Sequence, residues 1–452
     1  MLDLNRLTRR TFLTAGGLAA LAALSGGCAT RSATPARAAV NSGTRARPRP
    51  DLLDANSPKD LEVIQLTTEP DVPGSHLYME AQVFTMDSKR FVLHRSATAH
   101  GSSKTDPKHQ YLLCDLEDNY ALHPLTEEVG ATAPSVAPDG QSMYYFVNET
   151  ELASGRLSLK RVNLDGTQRQ TILVLDAPLP GTSFRPSRIY PLSTISSDGR
   201  RLALSAFLGD GRTEPGPFGL MVFDLVKATV VVVIHGPAWC NMHPQYCRST
   251  EPASSHDILI QENHGSVADA AGSVSRKVGG AGADIHLIRD DGSNFRNLPW
   301  GRDGVEFCQG HQCWRGRTTW AITSTQTGPQ AQLIESQAVP PAGHIGLRTP
   351  GGIRNHLTRS FPNPQFHHFA TDIRGQKLIS DAEPFNLGGR IYLAELGAPG
   401  RDPLRNFKYL LNPKASGKKQ AHIHPFLSPN GALGFFNSDE SGLLQAYLVR
   451  GF

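Results

Sequence analysis

Seven segments of the chain place two apolar stretches on either side of a short polar turn, which is the pattern of a β-hairpin. Asp-Gly, Asn-Gly and Arg-Gly steps stand at several of these turns, where glycine supplies the positive φ that tight hairpins require. The turns lie near positions 87, 139, 198, 253, 316, 375 and 430, so neighbouring turns are about 52 to 63 residues apart. This regular spacing indicates one structural unit repeated seven times.

A second strand pattern follows many of the hairpins, as in RLSLKRVNLDG, FGLMVFDL, DIHLIRDDG, RIYLAEL and QAYLV. Each unit therefore holds about four strands, the content of a propeller blade. No helical period interrupts the pattern. We predict an all-β protein whose residues 55–452 form a seven-bladed β-propeller. A β-sandwich or two smaller domains is the alternative for loosely related turns, and the regular spacing favours the propeller.

The first 40 residues read as an export signal rather than as part of the fold. Arg9 and Arg10 stand in a twin-arginine motif, and the apolar run 15–24 is shorter than the roughly 20 residues that span a bilayer. Cys28 would carry a lipid anchor if the leader is processed as a lipoprotein, whereas a small-residue cleavage site at 36–38 competes with it. Residues 41–54 are predicted as a linker. We expect a periplasmic or extracellular protein.

Composition narrows the class of protein only a little. Charged residues make up 19% of the chain and hydrophobic residues 39%, which allows a folded core. The net charge is +4, and no basic patch with interleaved aromatic residues occurs. We therefore expect no nucleic-acid partner.

Four of the six cysteines form two local pairs, and each pair flanks a histidine. Cys240 and Cys247 enclose His243, while Cys308 and Cys313 enclose His311. In an oxidising compartment we expect these cysteines to form disulfides, either within each pair or across the two pairs. Ligation of a metal by thiolates is the alternative. Cys114 stands alone in an apolar run and is expected to be a buried small hydrophobic residue.

Histidines recur shortly before the hairpins of the last four units. They are His243, His311, the pair His367 and His368, and the pair His422 and His424. The first strand of a propeller blade lines the central channel, so residues just before it meet at one mouth of the channel. We predict a ring of imidazoles suited to a divalent metal ion. We expect the remaining histidines without this placement to be surface or structural residues, among them His94, His100, His109, His123, His235 and His256.

The order of motifs in the second half is similar to that of a known enzyme family. The matching segments are 242–246 (MHPQY), 262–265 (ENHG), 284–287 (DIHL), 291–294 (DGSN), 311–314 (HQCW), His368, 422–425 (HIHP), 428–431 (SPNG) and 437–439 (NSD). On these residues the chain resembles the oligogalacturonate lyases of polysaccharide lyase family 22. The family consists of seven-bladed propellers that bind a manganese-type ion.

The resemblance implies roles for the histidines of the ring. His311, His422 and His424 would be metal ligands, Mn²⁺ would be the metal, and His243 would be the general base. The family's fourth ligand is a glutamine, whose position holds Lys419 in this chain, so the adjacent Gln420 is the candidate.

The resemblance also implies contacts with the substrate, which would be an oligogalacturonide or another oligouronide. His368 and His264 are the candidate histidines, either as contacts to the substrate or as residues that orient the metal ligands. Gly219 stands where the family has an active-site arginine, and Arg212 and Arg248 are the candidates to replace that arginine.

These residues suit cleavage of a uronide by β-elimination. A divalent cation on the uronate carboxylate stabilises the charge that develops when a base removes the C5 proton. A neutral imidazole is a suitable base, and closely spaced imidazoles favour one another's neutral form. Two alternatives remain from the sequence: a non-catalytic periplasmic propeller that binds a glycan or protein, and a metal-dependent propeller hydrolase acting on lactones or esters.

Overall fold

The protein consists of antiparallel sheets that form the seven blades of a β-propeller; most blades have four strands, blade seven has a fifth, and blades four and five are joined in one eight-stranded sheet. The computed structural model describes residues 46–101, 108–150, 156–276, 283–298, 307–326, 331–337, 354–359 and 366–452. The predicted leader 1–40, its twin-arginine motif and Cys28 lie outside the described residues. Among the residues described there is no α-helix, and no helix is long and apolar enough to cross a membrane.

The blades follow one another along the chain, and each is built from its inner strand to its outer edge. Blade one comprises Ser75–His76, Arg90–Arg95, Gln110–Asp115 and Ala121–Pro124; blade two Ala131–Val136, Ser142–Asn148, Leu157–Asn163 and Gln170–Leu175; blade three Arg185–Ile195, Arg201–Gly209, Phe218–Asp224 and Thr229–Gly236. Blade four comprises Gln245–Tyr246, Asp257–Asn263, Ala283–Arg289 and Arg296–Asn297; blade five Phe307–Trp314, Trp320–Gln326, Ala331–Gln337 and Arg354–His356. Blade six comprises Phe366–Thr371, Lys377–Ala382, Arg390–Leu396 and Leu404–Leu411; blade seven Phe426–Leu427, Gly434–Ser438, Gln445–Arg450, Glu62–Gln65 and Arg47–Pro48.

Short elements complete the framework. Within the described ranges, single-turn 3-10 helices span Pro50–Leu52, Pro237–Trp239, Phe385–Leu387 and Lys419–Ala421. A small hairpin of Val267–Ala268 and Val274–Arg276 stands in the connection between the second and third strands of blade four. The predicted hairpin turns are present, and Gly199 and Gly431 occupy them at φ values of 71° and 68°. Such values favour glycine, as the turn motifs predicted.

Both ends of the described chain meet in blade seven, which closes the circle. The strand Glu62–Gln65 pairs with Gln445–Arg450, and Arg47 pairs with Gln65 at the edge. Arg49 is buried there, where its guanidinium contacts the carboxylates of Glu440 at 2.5 Å and Asp51 at 2.6 Å. The predicted linker 41–54 is therefore wrong from residue 46 onward. A composition rich in arginine and proline did not indicate the strand Arg47–Pro48, nor that Arg49 beside it pairs with Glu440 near the other end of the described chain.

The expected disulfides are wrong: the described cysteines carry thiols and are buried. Cys308 and Cys313 lie five residues apart on one extended strand, which separates them by roughly 16 Å. A disulfide needs Cα atoms within about 7 Å. Burial raises the pKa of Cys247 to about 11, so its thiol stays protonated rather than acting as a thiolate ligand. Cys114 is fully buried in the core, as predicted.

Closure of the circle yields a stability prediction. We expect Arg49→Met to lower the free energy of unfolding by about 1–2 kcal/mol, because it removes the cation from the partly buried carboxylate of Glu440, which keeps only the hydroxyl of Tyr447 as a side-chain partner among the described residues. Arg49 lowers the pKa of Glu440, so this contribution is present above pH 4.5 and is lost as the pH falls below it. Denaturant unfolding at pH 7 and pH 3.5 measures both effects.

Arg47→Met is the matched control, because Arg47 is exposed on the same edge strand. Equal unfolding midpoints for Arg49→Met and Arg47→Met at pH 7 would contradict the role given to Arg49.

Candidate metal centre

Two of the predicted histidines stand at an unusual backbone position just before an inner strand. His243 has φ 50° and His424 has φ 44°, and each is followed by a proline. Residues other than glycine rarely adopt this left-handed conformation, which costs about 1–3 kcal/mol. The same conformation recurs in blade two at Ala133, which also precedes a proline. The left-handed conformation before a proline thus recurs in the inner strands, and in blades four and seven the residue that adopts it is a histidine.

His311 and His368 reach the same region through irregular strand pairing. The register of the inner strand shifts between Cys308 and Gln312 in blade five, and between Phe366 and Phe369 in blade six. Such bulges turn a side chain out of the regular alternation. The rings of His311 and His368 lie 4.6 Å apart between their centroids. The predicted convergence of the histidines from blades four to seven is present.

The buried ring of Tyr78 lies at the centre of this cluster. Its centroid is 4.5 Å from that of His424, 5.4 Å from His243, 6.0 Å from His100 and 6.2 Å from His368. Tyr78 follows the inner strand of blade one, so the cluster draws on blades one, four, six and seven. Burial raises the pKa of the Tyr78 hydroxyl well above its usual value, which keeps it neutral.

His100, His422 and His424 form the group best placed to hold a metal ion. One ring nitrogen from each lies within 4.8 Å of the others, and His100 Nε2 is 3.1 Å from His422 Nδ1. His424 is fully buried, yet neither of its ring nitrogens has a hydrogen-bond partner among the described residues. A buried polar atom without a partner is costly, and a metal ion would satisfy it. The donor set therefore fits a divalent transition-metal ion.

The electrostatics of the cluster keep the imidazoles neutral, which metal ligation requires. Burial, followed by the neighbouring histidines, lowers the pKa of His100 to about 3. The same causes lower the pKa of His311, His368 and His424 well below the usual value. Burial also lowers the pKa of His422. These directions agree with the expected mutual preference for neutral imidazoles.

An aspartate fixes the orientation of His368. Asp381 accepts hydrogen bonds of 2.8 Å from the backbone N–H of His368 and from its Nδ1. Burial raises the pKa of Asp381 to about 6. A carboxylate that holds one ring nitrogen leaves Nε2 to face the cluster, an arrangement typical of metal-binding histidines. The centroid of His368 is 4.4 Å from that of His424.

His243, whose ring contacts that of Tyr78, has its own set of partners. Its Nδ1 lies 3.0 Å from the Glu80 carboxylate, and its Nε2 lies 2.9 Å from the hydroxyl of Tyr190. Glu80 is buried, and burial raises its pKa while the nearby His243 lowers it. The pair resembles the base and orienting carboxylate of hydrolytic triads.

The other predicted site residues lie away from these imidazoles. Gln420 is exposed, although its backbone carbonyl accepts a 2.8 Å hydrogen bond from Ala99 and so holds the loop of His100. Arg212 is exposed in a loop, where its backbone contacts Asp210. His264 lies on blade four and pairs with Asp284.

Arg248 lies farther along the inner strand of blade four than His243. There it lines a channel cavity of about 110 Å³ that also contacts Glu80 and Trp314. Burial lowers the pKa of Arg248, and the titratable groups that act on it are Cys313 and Cys247 rather than the clustered imidazoles. The structure therefore brings His311, His368, His422 and His424 together with His243, and leaves Arg212, Arg248, His264 and the Gln420 side chain outside the cluster.

Sequence reasoning missed residues that complete the cluster. They are Tyr78, Glu80, His100, Tyr190 and Asp381. His243 lies shortly before the hairpin turn of blade four, and Glu80 and Tyr190 lie shortly before the turns of blades one and three. A search of this position in every blade, rather than for histidines alone, would have selected both residues. His100, expected to be a surface or structural residue, follows the second strand of blade one, where no repeat position marks it.

Together, the fold and the cluster define a seven-bladed propeller with a buried histidine cluster, which is a candidate metal centre. No protein-family model and no curated protein matches the sequence. Among solved structures, the chain is similar to an oligogalacturonate lyase in complex with manganese, at 18% identity and a TM-score of 0.64, covering 90% of this chain and 96% of the other. An oligogalacturonate lyase from Vibrio parahaemolyticus is similar at 18% identity and a TM-score of 0.64, covering 90% and 97%. The likeness establishes a shared propeller fold.

The metal centre can be tested without reference to activity. We expect His424→Ala to lower Mn²⁺ affinity at this centre by at least about 100-fold, because it removes a buried ligand whose two nitrogens have no other partner within the described part of the chain. His100→Ala should also weaken binding. Isothermal titration of chelator-treated protein with Mn²⁺ measures both changes.

His235→Ala serves as the control, because His235 lies on the outer strand of blade three, where its ring contacts Phe184. Unchanged Mn²⁺ affinity in His424→Ala would rule out the His100, His422 and His424 group as a metal site.

Proposed function

We propose that this protein is a metal-dependent lyase that cleaves oligouronides by β-elimination. One observation supports the proposal above all others. The ring of Tyr78 contacts both a buried histidine held by a carboxylate, His243, and His424 of the group formed by His100, His422 and His424. A base and a cation site close to each other are what removal of a proton next to a carboxylate requires.

His243 is the general base in this proposal. Glu80 accepts the Nδ1–H, so Nε2 carries the lone pair and faces the hydroxyl of Tyr190. The substrate would displace Tyr190 and present its C5–H to Nε2. The imidazolium that forms is stabilised by the buried carboxylate of Glu80, as an orienting aspartate does in a catalytic triad. Glu80 acts through His243 and is a positioning residue.

The uronate carboxylate requires a cationic environment. When bound, a divalent ion at His422, His424 and His100 would supply a Lewis acid for that carboxylate, with His311 as the further ligand implied by the resemblance. Arg188 offers a second cation, in place of Arg212 and Arg248. It is exposed, it lies two residues or about 7 Å along the strand from Tyr190, and its guanidinium donates a hydrogen bond to Gly272.

The elimination is balanced without any co-reactant. His243 takes the C5 proton, the C–H electron pair forms the C4–C5 double bond, and the bond from C4 to its oxygen breaks. The imidazolium then returns its proton to the departing oxygen, so the base is regenerated. No water is consumed, and this separates the reaction from hydrolysis by a related propeller.

Substrate and location follow from the same proposal. The neighbouring structures are described as oligogalacturonate lyases, one of them in complex with manganese, which supports an oligogalacturonide substrate and Mn²⁺. The twin-arginine motif supports action in the periplasm or outside the cell.

Replacement of the base gives the direct test. His243→Ala should reduce the formation of unsaturated product from oligogalacturonate and Mn²⁺ by about 10²–10⁴-fold, the contribution of a general base. Ultraviolet absorbance of the product measures the rate, and calorimetry should show that Mn²⁺ still binds.

His256→Ala is the control, because His256 pairs with Asp290 outside the cluster. Products that carry the mass of an added water would identify a hydrolase instead. Metal-loaded protein that leaves every uronide unchanged would favour a binding propeller.

Glu80 gives a separate prediction. Glu80→Gln keeps the shape of the side chain but removes the charge that stabilises the imidazolium, so kcat should fall by roughly tenfold or more while KM stays close to that of the unaltered enzyme. Steady-state kinetics distinguish this result from general damage to the site, which would raise KM as well.

A further inference from the structure

A second group of ligating side chains lies outside the cluster around Tyr78, on blade four. One ligand atom from each of Glu262, His264 and Asp284 lies within 4.8 Å of the others. His264 Nε2 is 2.5 Å from Asp284 Oδ2, and its Nδ1 is 3.4 Å from Glu262 Oε1. Two carboxylates and an imidazole thus face one small space.

Strand register explains why these side chains converge. Glu262 and Asp284 are directly opposite each other on the paired second and third strands of blade four. His264 stands in the turn that begins where the strand ends at Asn263, and its ring contacts both carboxylates. His286 stands two residues beyond Asp284 on the facing strand, and so lies on the same side of the sheet as Asp284. The sheet therefore positions the two carboxylates and His286, and the turn after the strand positions His264.

A fourth residue fixes the orientation of the glutamate. His286 is buried, and its Nε2 lies 3.0 Å from Glu262 Oε2, while its Nδ1 lies 2.8 Å from the side chain of Asn297. This contact leaves Glu262 Oε1 directed toward His264. An outer residue that holds a ligand in place is a regular feature of metal sites.

The group stands at the base of the connection between these two strands. That connection carries the small hairpin of Val267–Ala268 and Val274–Arg276. Three contacts join it to blade three: Gly216 N–H to Ala268 O at 2.8 Å, Ala270 N–H to Glu214 at 3.3 Å, and Arg188 to Gly272 O at 2.9 Å. His264 begins the connection and Asp284 follows its end, so one ion bound at this group would join the two.

We propose that Glu262, His264 and Asp284 bind a second divalent transition-metal ion, independent of the cluster around Tyr78, that ties the base of this connection and so holds Gly272 against Arg188. The mixed nitrogen and oxygen donors suit Zn²⁺ or Mn²⁺, whereas Ca²⁺ and Mg²⁺ prefer oxygen ligands alone. The ion is structural: it closes a long loop, and it does not contact the base His243.

The number of bound ions tests the proposal. Chelator-treated protein is titrated with ZnCl₂, and separately with MnCl₂, in buffer that contains excess Mg²⁺. We expect two equivalents for the unaltered chain, one for His424→Ala, and one for His264→Ala. The double variant His264→Ala with His424→Ala should bind none. His264 is half exposed, so its removal should not disturb the fold.

Asp291→Asn is the matched control, because Asp291 occupies an exposed turn of the same blade and contacts Ser293. Limited proteolysis supplies a second measurement. Zinc should protect residues 264–276 from cleavage in the unaltered chain and in His424→Ala, but not in His264→Ala. The proposal is overturned if His264→Ala keeps both equivalents, or if His424→Ala keeps none. Neither measurement depends on lyase activity. The second metal site and the proposed lyase activity can therefore fail independently of each other.

Discussion

Burial of several imidazoles around one tyrosine ring is the constraint on which the centre depends. Each protonated imidazole would be both desolvated and repelled by its neighbours, so the cluster persists as neutral rings. Neutral rings carry lone pairs, and the two nitrogens of buried His424 have no partner among the residues that the structure describes. Burial of these unpartnered nitrogens costs free energy without an ion, and a bound ion would offset that cost. Two carboxyl groups orient the rings: Glu80 contacts Nδ1 of His243, and Asp381 contacts Nδ1 of His368.

Backbone irregularity brings these side chains into position. Regular inner strands would alternate their residues between the channel and the blade, yet left-handed φ values at His243 and His424 and shifted registers at His311 and His368 interrupt that alternation. The regular strand pairing on either side of these residues compensates for the local backbone strain. The blades are thus the rigid part, and the chemistry is confined to the points where the inner strands depart from the regular pattern.

Much of this could be predicted from the sequence, because repeat spacing and turn chemistry are local signals. The seven blades and the convergence of histidines from blades four to seven followed from them. His100 could not be found in that way, since it lies in a loop after a second strand and reaches the cluster only through the closed circle. The strand at Arg47–Pro48 and the thiol state of Cys308 and Cys313 were equally inaccessible, because both depend on distances set by the folded sheet rather than on composition.

His100 belongs to blade one, whereas His422 and His424 belong to blade seven, and blade seven is also where the first strands of the chain join the last. The metal centre therefore lies across the seam of the circle. An ion bound there favours the closed ring over any opened form, since it binds only when the two blades are side by side. The centre is complete only when blade one and blade seven lie side by side, so metal loading would report that the circle has closed.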